Sequence, residues 1–199
     1  MSKLESDLAQ LCEKALELGA TNAIAIQAAD IAVDDRTGLK CAVPLCAHYG
    51  RDLMCPPNVM PIARFKEVIK CYHQAILLKL DIPENDLRQT RSAQEESRTA
   101  YLETLRDSQR KLLEIVGRLE AACLQQGYHF AAGLIGGACP LCKECVGVRS
   151  GVACRHPFKA RPSMEAMGID VMSTAKKAGL ELDFGDNDCR SWMGLVLVD

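Results

Sequence analysis

The sequence is poor in aromatic residues, in net charge and in long apolar runs. Phe, Trp and Tyr make up 5% of its 199 residues, and the formal net charge is −2. We expect no nucleic acid partner, because such partners are attracted by positive charge and stack on aromatic rings. No apolar run approaches the roughly 20 residues of a membrane span, and the first five residues do not lead into a signal-peptide core. These absences predict a cytoplasmic protein without a membrane span.

Common catalytic patterns are also missing. There is no nucleophile–base set, and the glycines of "GLIGGAC" (residues 133–139) lack the G-x-G-x-x-G spacing of a phosphate-binding loop. The chain is instead rich in cysteine, with eleven in total. In a reducing compartment disulfides are rare, and clustered cysteines more often bind metal or take part in redox chemistry.

The predicted secondary structure repeats one order of elements. Each set runs helix, strand, cysteine loop, helix, strand. The first set comprises residues 3–18, 22–33, 41–55, 61–72 and 75–82. The second comprises a long amphipathic helix that ends near 126, then 128–136, 139–154, a helix capped by Ser163 with Glu165 in its first turn, and the strands "LELDF" and "MGLVLV".

The cysteine spacing supports an internal repeat. Eight residues separate Cys46 from Cys55, and eight separate Cys145 from Cys154. We therefore expect a single α+β (or α/β) domain over residues 1–199. It would have two related halves, about 3–82 and 99–198, each presenting its cysteine loop at strand ends, with the long helix between them.

The second cysteine loop contains Cys139, Cys142, Cys145 and Cys154. Three cysteines at C-x2-C-x2-C and a fourth from further along supply the four thiolates of a 4Fe–4S cluster. The fourth follows after eight residues, so the loop is not the standard ferredoxin motif. Structural zinc is the alternative, although zinc sites usually pair two C-x2-C knuckles.

Basic residues surround the ligand cysteines of the second loop, namely Arg149 within it and Arg155, His156, Lys159 and Arg161 after it. Positive charge beside an anionic cluster would raise its reduction potential and attract an acidic redox partner protein. A solvated basic loop without a partner explains the same residues equally well.

The first loop has three cysteines, Cys41, Cys46 and Cys55, and no obvious fourth. Three thiolates can hold a 3Fe–4S cluster, a 4Fe–4S cluster with one open iron, or zinc with a fourth ligand. His48 and Cys189 are the candidates for that ligand. The remaining cysteines, Cys12, Cys71 and Cys123, lie on apolar helical stripes, which predicts that they pack in the core.

The stretches "KCAVPLCAHYGRDLMCPPNVMP" and "GGACPLCKECVGVRSGVACRHPFKARPSMEAMGIDV" resemble a family of uncharacterised cysteine-rich proteins. That family, domain of unknown function 2284, is described as predicted metal-binding and is seen largely in anaerobic bacteria and archaea. The resemblance covers nearly the whole chain. It implies that the three cysteines of the first loop are one ligand group and the four of the second loop another. It implies no reaction.

Three functions remain open from the sequence. The first is an iron–sulfur protein with one or two 4Fe–4S clusters, acting in electron transfer or as a redox adapter to a partner enzyme. The second is an enzyme that binds a small anion at an open iron of the first loop, oriented by Tyr49, Arg51 and Asn58. The third is a structural zinc module.

Overall fold

Five α-helices and six strands make up the part of the chain that the computed structural model describes, which is residues 2–82, 95–147, 150–182, 184–185, 188–189 and 191–199. Every described pair of strands is antiparallel. The chain is therefore an α+β protein, as predicted, rather than α/β. The elements are α1 (Lys3–Glu17), β1 (Asn22–Gln27), α2 (Leu39–Ala42), α3 (Ile62–Ile69), β2 (Gln74–Asp81), α4 (Glu95–Gln125), β3 (Ala132–Ile135), α5 (Val171–Lys177), β4 (Phe184–Gly185), β5 (Asp188–Cys189) and β6 (Ser191–Val198).

The main sheet has the strand order β1-β2-β6-β3, and β4 and β5 form a separate hairpin. The central strands β2 and β6 pair over eight residues each. Ile76, Leu77, Leu78, Leu195 and Val196 are fully buried in them. Both faces of the sheet are covered, so these strands carry consecutive apolar residues instead of an alternating pattern.

Helices α1 and α4 cover the face of the sheet that carries Ile76 and Leu78. Helix α3, residues 164–169 and α5 cover the opposite face, which carries Leu77 and Leu195. The sheet thus lies between two layers, each packed against it by apolar side chains.

The apolar stripe predicted on the long helix is confirmed. Leu112, Val116, Leu119 and Cys123 of α4 are all fully buried against the sheet, so Cys123 is a core residue, as expected. The stripe begins later than the sequence suggests, because Leu102 is 55% exposed. Within the described residues, no helix combines the length and apolar character that a membrane crossing requires.

The helix predicted to start at Ser163 is wrong. Residues 163–168 form a turn, in which the Ser163 hydroxyl accepts a hydrogen bond from Ala166 N at 3.3 Å. Gly168 follows in a left-handed conformation with φ of +86°, which a right-handed helix does not accommodate. Helix α5 begins at Val171, where the Asp170 side chain accepts from Ser173 N and caps the first turn.

Three predicted strands are also shorter than expected. The strand predicted over 128–136 is only Ala132–Ile135. The strand predicted over 22–33 ends at Gln27, and residues Ala28–Asp30 form a turn of 3₁₀-helix. In "LELDF", residues 180–182 are not in a strand and 183 lies outside the described residues.

The paths of the two halves through the sheet differ in one respect that matters for the cysteine loops. The end of β3 at Ile135 is level with Gly194, Leu78 and Ala23, close to the start of β1. The last residue of β1 therefore lies at the opposite end of the strands from Ile135. The chain that follows β1 must run back along the sheet to reach the level of the second loop. Backbone contacts with residues 168–170 guide this return, including Asp34 N to Gly168 O at 2.8 Å.

The related halves stay a prediction. The first half supplies β1 and β2, the second supplies β3 and β6, and the inner strand of each half meets the other at the centre of the sheet. A duplicated unit would give this strand order. The differing routes to the cysteine loops would then have arisen after duplication.

Candidate metal centre

The two cysteine loops line one cavity of about 990 Å³. All seven of their cysteines contribute to its wall: Cys41, Cys46, Cys55, Cys139, Cys142, Cys145 and Cys154. The sequence predicts two loops but does not predict that they share a cavity. No disulfide joins the cysteines in the described part of the chain.

Cys41 lies in the short helix α2, and turns shape the rest of the first loop. Cys46 N donates to Cys41 O at 3.0 Å, and Cys55 N donates to Asp52 O at 3.1 Å. The Asn58 side-chain amide donates to Asp52 O at 3.0 Å and Cys55 O at 3.4 Å, which closes the turn around Cys55. Each cysteine is therefore anchored through its own or a neighbouring backbone group.

The second loop is held by polar residues of α4. Arg106 donates to Pro140 O at 3.3 Å and also to Cys142 O, and Arg110 Nε donates to Pro140 O at 3.1 Å. Gln109, which is buried, donates to Gly136 O at 2.8 Å just before the loop. Sequence reasoning missed all three residues. Their i, i+3, i+4 spacing on one face of the helix was the signal that could have found them.

The last cysteine of the second loop is tied back to the first part of that loop. Arg155 Nη1 donates to Glu144 O at 3.0 Å, beside Cys145. The backbone N–H of His156 donates to Cys154 Sγ at 3.3 Å. This hydrogen bond fixes the direction of the Cys154 side chain within the loop.

The two loops are joined directly as well. Ser163 N donates to Met54 O at 3.2 Å, next to Cys55, and Ser163 bridges to Ile135 at the end of β3. Residues 162–164 thus connect the first loop to the strand that leads into the second. This connection sets the distance between the two groups of cysteines.

Burial and mutual repulsion disfavour the thiolate forms of Cys55 and Cys139. Burial, followed by the charges of Asp52, Cys46, Cys41 and Cys139, raises the pKa of the Cys55 thiol to about 12. The pKa of Cys139 is raised chiefly by burial, and Cys154, Cys142 and Cys145 add to it. The cysteines that affect the pKa of each of these two thiols belong mainly to its own loop. Cys139 is the exception, because its charge also affects Cys55 in the other loop.

The residues fit a thiolate-bound metal group. Thiolates select zinc, Cu(I) and iron–sulfur clusters, and a bound cation would offset the repulsion between them. The cavity volume is far larger than the volume that a single zinc ion occupies between four sulfur ligands, each about 2.3 Å from the metal. In the described residues, no three Cys, His, Asp or Glu side chains lie close enough together to share a single ion.

The other predicted site residues occupy different places. Tyr49, Arg51 and His156 line the cavity, whereas Asn58 serves the backbone of the first loop and Arg155 that of the second. Arg161 lies outside the cavity wall. Its Nε is 2.5 Å from Glu120 Oε2, and both side chains are only 16% exposed.

The remaining candidates are also resolved in part. His48 lines the cavity, and its Nδ1 lies 2.5 Å from Asp52 Oδ2. Cys12 is half-buried against the core, as predicted, but Cys71 is exposed just beyond the end of α3, so its core assignment is wrong. The side chain of Cys189, and Arg149 as a whole, lie outside the described residues.

Fold and site together define a cysteine-rich α+β protein in which two sets of cysteines, three and four in number, line one cavity. The family model described as "Predicted metal-binding protein (DUF2284)" matches residues 24–198. The chain belongs to this family, and the match covers both cysteine loops and all of the main sheet except the first two residues of β1. Neither the curated proteins nor the solved structures gave a match.

Proposed function

We propose that the protein binds two iron–sulfur clusters of the 4Fe–4S type and passes electrons between a donor and a partner enzyme. One cluster would be held by the four cysteines of the second loop and the other by the three of the first. A bound 4Fe–4S cluster supplies one-electron oxidation and reduction without transfer of atoms. The observation that carries the proposal is the single cavity lined by all seven thiols.

The protein contributes position and charge to this function. Arg106 and Arg110 fix the backbone of the second loop from α4, which would hold its thiols in place through a change of charge. Lys40, Arg51 and Lys143 line the same cavity and offset the negative charge that thiolate-bound clusters carry. The shared wall brings the two groups close enough for each to influence the other.

A docking surface for the partner is supported by the first loop. Leu39, Val43 and Leu45 are 60%, 72% and 69% exposed within seven residues of chain. Apolar side chains grouped on a surface beside basic residues are typical of a contact with another protein. We assign this face to an acidic redox partner.

Metal analysis tests the proposal. Protein purified without oxygen should contain about eight irons and about eight acid-labile sulfides per chain, the content of two cubane clusters. Reduction should produce an EPR signal that is absent from the oxidised protein. Zinc in place of iron, with no sulfide, would reject electron transfer and favour the structural zinc module.

A second candidate function follows from Tyr49 and Arg51. Both line the cavity together with the three cysteines of the first loop, and that loop has one thiolate fewer than a cubane needs. An enzyme that binds a small anion at the open iron would use these two side chains to orient it. Asn58 is better assigned to the loop backbone than to this substrate.

Added ligands separate the two candidate functions. If one iron is open, cyanide should change the EPR spectrum of the reduced protein, and Arg51→Ala should weaken that change relative to Lys159→Ala, a matched loss of charge outside the cavity wall. A spectrum that cyanide leaves unchanged in the intact protein would argue against an open site.

A further inference from the structure

Glu165 stands at the wall of the metal cavity, although it belongs to neither cysteine loop. It lies in the turn over residues 163–168, and the cavity that the seven cysteines line includes it. The same turn carries Ser163, which is bonded to Met54 beside Cys55. Glu165 is therefore held against the first loop by the backbone that joins the two loops.

One oxygen of this carboxylate is fixed and the other is not. Oε2 accepts from Gly137 N at 3.0 Å and from the Ser163 hydroxyl at 2.7 Å. In the described part of the chain, no hydrogen bond reaches Oε1, and no Lys or Arg forms an ion pair with the carboxylate. Glu165 is half-buried. Carboxylates that bind metals are commonly oriented by hydrogen bonds to one oxygen, which leaves the other oxygen to face the metal, and Glu165 has this arrangement.

Glu165 and Cys41 of the first loop both line the metal cavity. Glu165 and Cys41 also share the wall of an adjoining cavity of about 570 Å³. A negative oxygen beside a group of three thiolates is costly unless a cation lies between them.

We propose that Glu165 is the fourth protein ligand of the metal group held by Cys41, Cys46 and Cys55. This inference rests on the proposed function for the identity of the metal, but not for the identity of the donor. Carboxylate oxygen is an established ligand for zinc and for iron. As a harder donor than sulfur, it would leave that one metal position more easily exchanged than the others.

His48 is the main competitor for the same role. Its Nδ1 faces Asp52, and within the described residues its Nε2 has no hydrogen-bond partner, but the side chain is 51% exposed. Glu165 is less exposed, and it shares a second cavity wall with Cys41. The two candidates predict different results when each is replaced alone.

The experiment uses full-length protein reconstituted with iron and sulfide without oxygen. Glu165→Gln keeps the size of the side chain and its acceptor for Gly137 and Ser163, but removes the anionic donor. After mild oxidation this variant should lose about one iron per chain and show the EPR signal of a 3Fe–4S cluster. Iron release to a chelator should be roughly 10–100-fold faster than in the wild type.

Two further variants distinguish a ligand from a structural residue. Glu165→Cys supplies a thiolate at the same place and should release iron more slowly than Glu165→Gln, with an EPR spectrum different from that of the wild type. Glu144→Gln removes an exposed carboxylate from the same cavity wall and should behave as the wild type does.

Several results would overturn the proposal. One is a rate of iron release from Glu165→Gln equal to that of the wild type. Another is an equally raised rate of iron release in Glu165→Gln and Glu165→Cys, which would indicate a structural role. Loss of the same iron in His48→Gln alone would place the ligand at His48. If the protein contains zinc without sulfide, the iron–sulfur function fails. The donor role of Glu165 is then tested by zinc release from the same variants.

Discussion

Replacing Cys142 with serine should remove about four irons per chain, the content of one cubane cluster, and leave the metal of the first loop bound. Cys142 belongs to the group of four thiols, and its own carbonyl is held by Arg106 of α4. The loop would therefore keep its backbone position while losing one donor. Iron and sulfide per chain, measured before and after the substitution, check this result.

Cys12→Ser is the matched control for that loss. Cys12 is also half-buried, but it lies on α1, where it packs against the hydrophobic core, and it does not line the cavity. It should keep the full metal content. If Cys142→Ser instead loses all its metal at once, the seven thiols hold one joint group, and the division into two clusters is wrong.

Arg161→Ala should destabilise the protein by about 3 kcal/mol, near the lower end for breaking a buried ion pair. Arg161 Nε contacts Glu120 Oε2, and the same oxygen accepts from Gly133 N at 3.0 Å on β3. Without Arg161, the Glu120 carboxylate is left in a largely buried place without its cation. Denaturant unfolding of the metal-loaded protein would measure the change in the free energy of unfolding.

Arg155→Ala provides the comparison, because Arg155 is exposed and, among the residues that the structure describes, makes one hydrogen bond, to the Glu144 carbonyl. Its loss should cost less than about 1 kcal/mol. The sequence alone groups the two arginines as basic residues for a partner. Equal, small losses of stability in both variants would contradict the structural role of Arg161 and return it to the partner surface.

Local patterns predicted those parts of the fold that local contacts determine. The stripe of Leu112, Val116 and Leu119 defined the buried face of α4, and the apolar runs of β2 and β6 defined the central strands. The prediction of a helix at Ser163 was wrong. A capping residue shows only where a helix could begin, and Gly168, in a left-handed conformation, ends the turn before a helix can form. A prediction from capping alone had no means to weigh that glycine.

The candidate site could be predicted only in its parts. Spacing identified both groups of cysteines, since short intervals bring thiols together whatever the rest of the fold. Their meeting at one cavity depends on Asp34 bonding to Gly168 and Met54 to Ser163, contacts between residues more than a hundred positions apart. Neither contact has a signature in its own stretch of sequence. Glu165 is consequently predicted in the first turn of a helix and not as part of the cavity.

The bond between Met54 and Ser163 also bears on how the protein is made. Cys55 leaves the ribosome about 110 residues before Glu165, so roughly 5–20 s pass between their emergence at 5–20 residues per second. During that interval the first three thiols have no cavity wall opposite them. We expect the metal to be delivered to the released chain rather than to the growing one, and the early thiols to be the part of the molecule most open to oxidation until then.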